Sequence, residues 1–120
     1  MTGNLDFDRE TLRLLISELG TEDTAEVLRA FLDDTRNKIQ VLRAVPPDPV
    51  LIRREAHSIK SSAGTFGFAA LSGLAFGVEQ NALRMSPAEL ESAAAELSVV
   101  FEATAEFARS SLLASNMEIA

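Results

Sequence analysis

The chain has 120 residues, 47% of them hydrophobic and 24% charged, a composition that fits one small domain, residues 1–120, with a single core. It contains no cysteine and one histidine, so neither a disulfide scaffold nor a zinc site of the Cys/His type can be built within it. Eleven bases against eighteen acids give a net charge of −7, which opposes binding to nucleic acid or to an anionic membrane.

Leu12, Leu15, Ile16 and Leu19 recur at helical spacing, with Asp6 or Asp8 as N-cap and Gly20 as terminator. They predict a short first helix. A second is expected from about Asp23 to Ala44, with Val27, Leu28, Phe31, Leu32, Thr35, Ile39 and Leu42 on one stripe. Glu22, Asp23 and Glu26 suit its positive N-terminal end, and Pro46-Pro47 stops it. Asp48-Pro49 restarts a third helix, because aspartate caps free amides and proline in the first turn forfeits no hydrogen bond. Its apolar stripe reads Ile52, Ala56, Ile59, Ala63 and Phe66, and Gly64 and Gly67 weaken its end. Leu71, Leu74, Ala75, Val78, Ala82 and Met85 mark a fourth helix from near Ala69. Ser86-Pro87-Ala88-Glu89 is a capping box that opens a fifth, whose inner face is Leu90, Ala94, Leu97, Phe101, Thr104 and Ala108.

Alternation with period two is absent, and the connections are too short to hide a sheet. The expected fold class is all-α, an antiparallel four-helix bundle from the second helix to the fifth, with the short additional N-terminal helix capping one end. No stretch approaches the roughly 20 apolar residues of a membrane span. The start, MTGNLDFDRE, has neither the basic head nor the apolar core of a signal peptide. A cytoplasmic, monomeric protein is expected, either free-standing or a piece of a larger kinase.

The charge is uneven. Residues 1–42 hold five bases and nine acids, residues 61–120 two and seven, but residues 43–60 hold four bases and two acids. That basic island surrounds His57. Counting about 100° per residue from the apolar stripe of the third helix, His57 falls near 140°, turned from the core toward water. On the same count Lys60 falls near 80°, Arg53 near 100°, Gly64 near 120°, Ser61 near 180° and Arg54 near 200°. Taken singly, the arginines are explicable as solvated charges, Gly64 as a frayed helix end and the serines as filler. Their convergence on the face of the only imidazole is not explained that way. Small residues after His57 leave room for another molecule, and Lys60 lies within reach of a group attached to the ring.

The string Ala56-His57-Ser58-Ile59-Lys60-Ser61-Ser62-Ala63-Gly64-Thr65-Phe66-Gly67-Phe68 resembles the signature of histidine-containing phosphotransfer (HPt) domains. In those, Lys follows the histidine by three, with small residues and a hydrophobic-Gly pair beyond. Ser61 departs from the glycine most often found there. The wording is also similar to the phosphoacceptor domain of chemotaxis histidine kinases, where a glutamate of the next helix hydrogen-bonds the histidine; Glu79 stands at the matching distance.

The resemblance implies reversible phosphorylation of His57 through Nε2, by exchange with an aspartate of a response-regulator receiver domain or from a histidine kinase or hybrid kinase. It implies that Glu79 holds the proton of the other nitrogen. Imidazole suits this chemistry, since near neutral pH it keeps a lone pair free to attack phosphorus, and neither cysteine nor tyrosine is present to compete. Lys60, helped by Arg53 or Arg54, would stabilise the added charge. The partner surface is expected on the exposed sides of the third and fourth helices: Arg53, Arg54, Ser61, Gly64 and, with its ring unburied, Phe68. No phosphate loop or kinase signature occurs, so no cofactor of its own is expected, with ATP and Mg²⁺ handled by the partner. Two rivals follow from the same residues. One is an adaptor that binds a receiver or another signalling protein without being phosphorylated. The other is a hydrolase with His57 as base, which an exposed helix face does not favour.

Overall fold

A computed structural model describes residues 5–118. Among them the chain is helical, with five α-helices: α1 (Arg9–Leu19), α2 (Thr21–Leu42), α3 (Pro49–Thr65), α4 (Ala69–Asn81) and α5 (Pro87–Phe107). A 3₁₀ turn, Ala82–Arg84, ends α4, and a π-helical stretch, Ala108–Leu113, prolongs α5. α2 packs on α3 and α5, and α4 on α3 and α5; α1 lies against α2 and α3. No helix among the described residues is long and apolar enough to cross a membrane.

The caps follow local chemistry. Asp8, rather than Asp6, caps α1 by accepting from the Thr11 amide at 3.2 Å and its hydroxyl at 2.8 Å. Asp48 caps α3 through the amides of Val50 and Leu51, with Pro49 in the first turn. The Ser86–Glu89 box closes reciprocally at 2.8 and 3.1 Å. α2 starts at Thr21, two residues ahead of the expected Asp23, because Gly20 (φ +86°) both ends α1 and admits the next helix directly. It stops at Leu42, where the Arg43 and Ala44 amides fold back on the last turn.

The stripes of α3 and α5 are buried throughout, from Ile52 to Phe66 and from Leu90 to Ala108. Two expected core positions differ: Val27 is 40% exposed and Leu19 42%, each at the edge of its stripe. The α3–α4 interface is the most extensive, and small residues explain why. Ala56 and Ala63 on one side and Ala75 and Ala82 on the other are fully buried, so the backbones can approach closely. Ser72 of α4 donates to the Lys60 carbonyl of α3 at 2.9 Å. The pairs Lys60–Ser72 and His57–Glu79 run in opposite directions along the two helices, which therefore form an antiparallel hairpin.

The hairpin turns at Phe66-Gly67-Phe68. Phe68 N donates to Ala63 O at 3.0 Å and Gly67 N to Gly64 O at 3.1 Å, the paired bonds of a Schellman stop. Gly67 sits at φ +84°, and a Cβ there would run into the carbonyl oxygen of Asp8. Residues 5–8 strap across this turn, with Asp8 N donating to Gly67 O at 2.8 Å and Ala70 N to Leu5 O at 3.0 Å. The reversal drives Phe68 inward. Its ring is 1% exposed and packs on Phe7, Phe31 and Phe66. Phe68, expected on the partner surface on the condition that its ring is unburied, does not meet that condition, because the chain reverses at Gly67 and turns the ring into the core.

Gly67→Ala is expected to lose at least about 1–2 kcal/mol, the cost of a left-handed residue bearing a Cβ, read as a lower urea midpoint. A midpoint equal to wild type would reject this account of the turn.

Candidate functional site

His57 lies on the third turn of α3, beside the buried Ala56 but turned outward, with 60% of its side chain exposed. The outward angle read from the sequence is what the structure has. Across the hairpin, Glu79 Oε2 stands 2.8 Å from His57 Nδ1. An ionised carboxylate only accepts, so Nδ1 carries a proton, and in the neutral imidazole Nε2 is then the nitrogen with the lone pair. The ring is thus oriented by α4 while its other nitrogen remains open.

Glu79 is only 16% exposed. Its second oxygen, Oε1, is sealed from solvent without a hydrogen bond and faces the Lys60 ammonium at 3.3 Å. The hydrogen bond from His57, helped by Lys60, outweighs desolvation and holds the Glu79 carboxyl below its ordinary 4.5. Lys60 itself is 28% exposed, and its ammonium also lies 5.4 Å from the centre of the Phe76 ring, within range for a cation–π contact.

The imidazole opens on a cleft of about 390 Å³ lined by Val50, Arg53, Arg54, His57 and Glu79. Arg54 is paired with Glu55 at 3.3 Å. Ser61 and Gly64 are exposed on the same helix beyond His57. A Cβ at Gly64 would meet nothing nearer than the Ser72 hydroxyl at 3.5 Å, so packing does not demand glycine there. The structure thus gathers His57, Lys60 and Glu79 in one contact chain, lines the cleft with Arg53 and Arg54, and leaves Ser61 and Gly64 open. It removes only Phe68.

Two neighbours were not foreseen. Phe76 is half exposed beside Lys60, and Ser72 fixes the Lys60 carbonyl. The signal for Phe76 is an aromatic lying off the buried stripe of α4, one turn before Glu79.

Because its folded value is lowered, Glu79 contributes stability that is complete above its ordinary 4.5 and fades as pH falls through the lowered value. In a carboxyl ¹³C NMR titration Glu79 is expected to have its midpoint below 4.5, and His57→Ala should move that midpoint upward. An unchanged midpoint in the variant would reject the His57 hydrogen bond as the main cause.

No curated protein and no solved structure matches the chain. A family model described as "Hpt domain" matches residues 26–110, a span from early α2 through α5 that includes His57, Lys60 and Glu79. With the helical architecture and an exposed, oriented imidazole on the hairpin, this match means that the chain belongs to the Hpt domain family, the histidine phosphotransfer modules of two-component signalling.

Proposed function

We propose that the protein is a phosphorelay intermediate that accepts a phosphoryl group on His57 from a receiver-domain aspartate, or from a histidine kinase, and passes it to another receiver. The observation that carries this reading is the division of the ring: Nδ1 held by Glu79 at 2.8 Å, the rest 60% exposed. In the step itself the Nε2 lone pair attacks phosphorus. The bond from phosphorus to the aspartyl oxygen breaks, and its electron pair leaves on the carboxylate. The ring becomes an imidazolium that retains the Nδ1 proton, and the Glu79 carboxylate stabilises that charge as it develops. The reverse step discharges the group, since no atom of this chain is consumed.

α2 to α5 are taken as an antiparallel four-helix bundle with α1 against one end, a rigid mount for the hairpin. The docking face comprises Arg53, Arg54, Ser61 and Gly64 around the cleft. Its cations suit the acidic pocket of a receiver, which supplies Mg²⁺; this chain then needs no cofactor. Positioning and charge stabilisation account for most of phosphoryl-transfer catalysis, and here they are shared between the two proteins. The chain acts as a cytoplasmic monomer.

Incubation with a phosphorylated receiver should yield an acid-labile, alkali-stable phosphoryl group on the chain. His57→Gln should abolish the label while leaving the helix content of the chain unchanged, because the imidazole takes no part in the packing of the core. Binding that persists without label for wild type, with every competent donor, would instead establish the adaptor.

A further inference from the structure

A phosphoryl group on Nε2 brings nearly two negative charges and three acceptor oxygens, so the site needs a cation free to meet it. Lys60 is the obvious one by spacing, three residues after His57. Its charge is already engaged, however. Lys60 Nζ faces Glu79 Oε1 at 3.3 Å, and that oxygen is buried with no hydrogen bond. Withdrawing the ammonium would leave a buried carboxylate oxygen uncompensated, which is costly. The Phe76 ring holds the same ammonium from another side. Lys60 is also not among the residues that line the cleft.

The cleft has two cations, Arg53 and Arg54. Arg54 is paired with Glu55, whereas Arg53 has no ion pair among the described residues. Arg53 precedes His57 by four positions, so the two share a helix face, and the imidazole leans over the turn that carries Arg53. A guanidinium presents a planar fork of donors that matches two phosphoryl oxygens at once.

We propose that Arg53 is the cation that binds the phosphoryl group on His57, and that Lys60 is a positioning residue that holds the Glu79 carboxylate. The proposal rests on the reading of His57 as phosphoacceptor. The two positive charges then have separate roles, one keeping the imidazole oriented and the other meeting the incoming dianion.

The test uses the full chain and phosphoramidate, a donor with no protein surface, so docking plays no part. Nε2 attacks phosphorus, the P–N bond breaks and ammonia leaves. Arg53→Ala should slow labelling about tenfold, the effect of one lost charge-assisted hydrogen bond. In ³¹P NMR the bound phosphoryl group should then titrate at higher pH, because its dianion has lost a cation; Arg53→Lys should recover part of both effects. Lys60→Ala should raise the titration midpoint of the Glu79 carboxyl, which Arg53→Ala leaves in place. If Arg53→Ala labels and titrates like wild type, or if Lys60→Ala moves the phosphoryl titration further than Arg53→Ala does, the assignment is overturned while the phosphoacceptor reading stands. A wild-type chain that takes label from neither phosphoramidate nor a phosphorylated receiver overturns both.

Discussion

The 2.8 Å contact between His57 and Glu79 exists only because α3 and α4 lie close together. Fully buried alanines on both elements, Ala56 and Ala63 of α3, Ala75 of α4 and Ala82 just after it, add little bulk between the backbones, and the Ser72 hydroxyl ties α4 to the α3 carbonyl one turn beyond His57. Larger side chains at those alanines would push the carboxylate out of range without touching either member of the pair. The chemistry of the exposed ring is in this sense a property of a buried seam. An imidazole on an isolated helix would rotate among its rotamers and exchange its proton between both nitrogens, whereas here one nitrogen is committed.

Electrostatics add a second constraint. The chain carries −7 overall, so an acidic receiver pocket of the kind proposed above would meet net repulsion at long range. Salt reduces the reach of exposed charges to about 8–10 Å, and within that distance the cleft presents Arg53 beside the Arg54–Glu55 pair. On the function proposed above, recognition of an acidic receiver would be a close-range matter, set by what lines the cleft rather than by the protein's total charge. Burial works alongside it at Glu79, where the hydrogen bond from His57 and the nearby Lys60 outweigh the desolvation of a mostly covered carboxylate.

Much of this was legible from residue order because helices encode their faces with a fixed period. The stripes on α3 and α5, the Asp48-Pro49 restart and the Ser86 box all depend on neighbours within one or two turns, and the structure has them as read. What stayed hidden depends on contacts distant in sequence. Phe68 follows a glycine that reverses the chain, so its burial is decided by Phe7 and Phe31. Lys60 lies nearer the core than His57 on the angle count, and that angle proves to face α4, where its partners are Glu79 and Phe76. A count along one helix gives direction but not what waits there. The widening of α5 into a π-helical stretch had no sequence signal that we can identify.

The strap of residues 5–8 joins the turn at 67–70, across some 60 residues of intervening chain. Closing so long a loop is entropically dear and is usually deferred during folding. The α3–α4 hairpin, by contrast, is held by neighbours near in sequence and can assemble first. Contact order therefore favours scaffold before seal: the helices that carry the imidazole and its carboxylate have the shorter loop to close, and the amino-terminal segment has the longer.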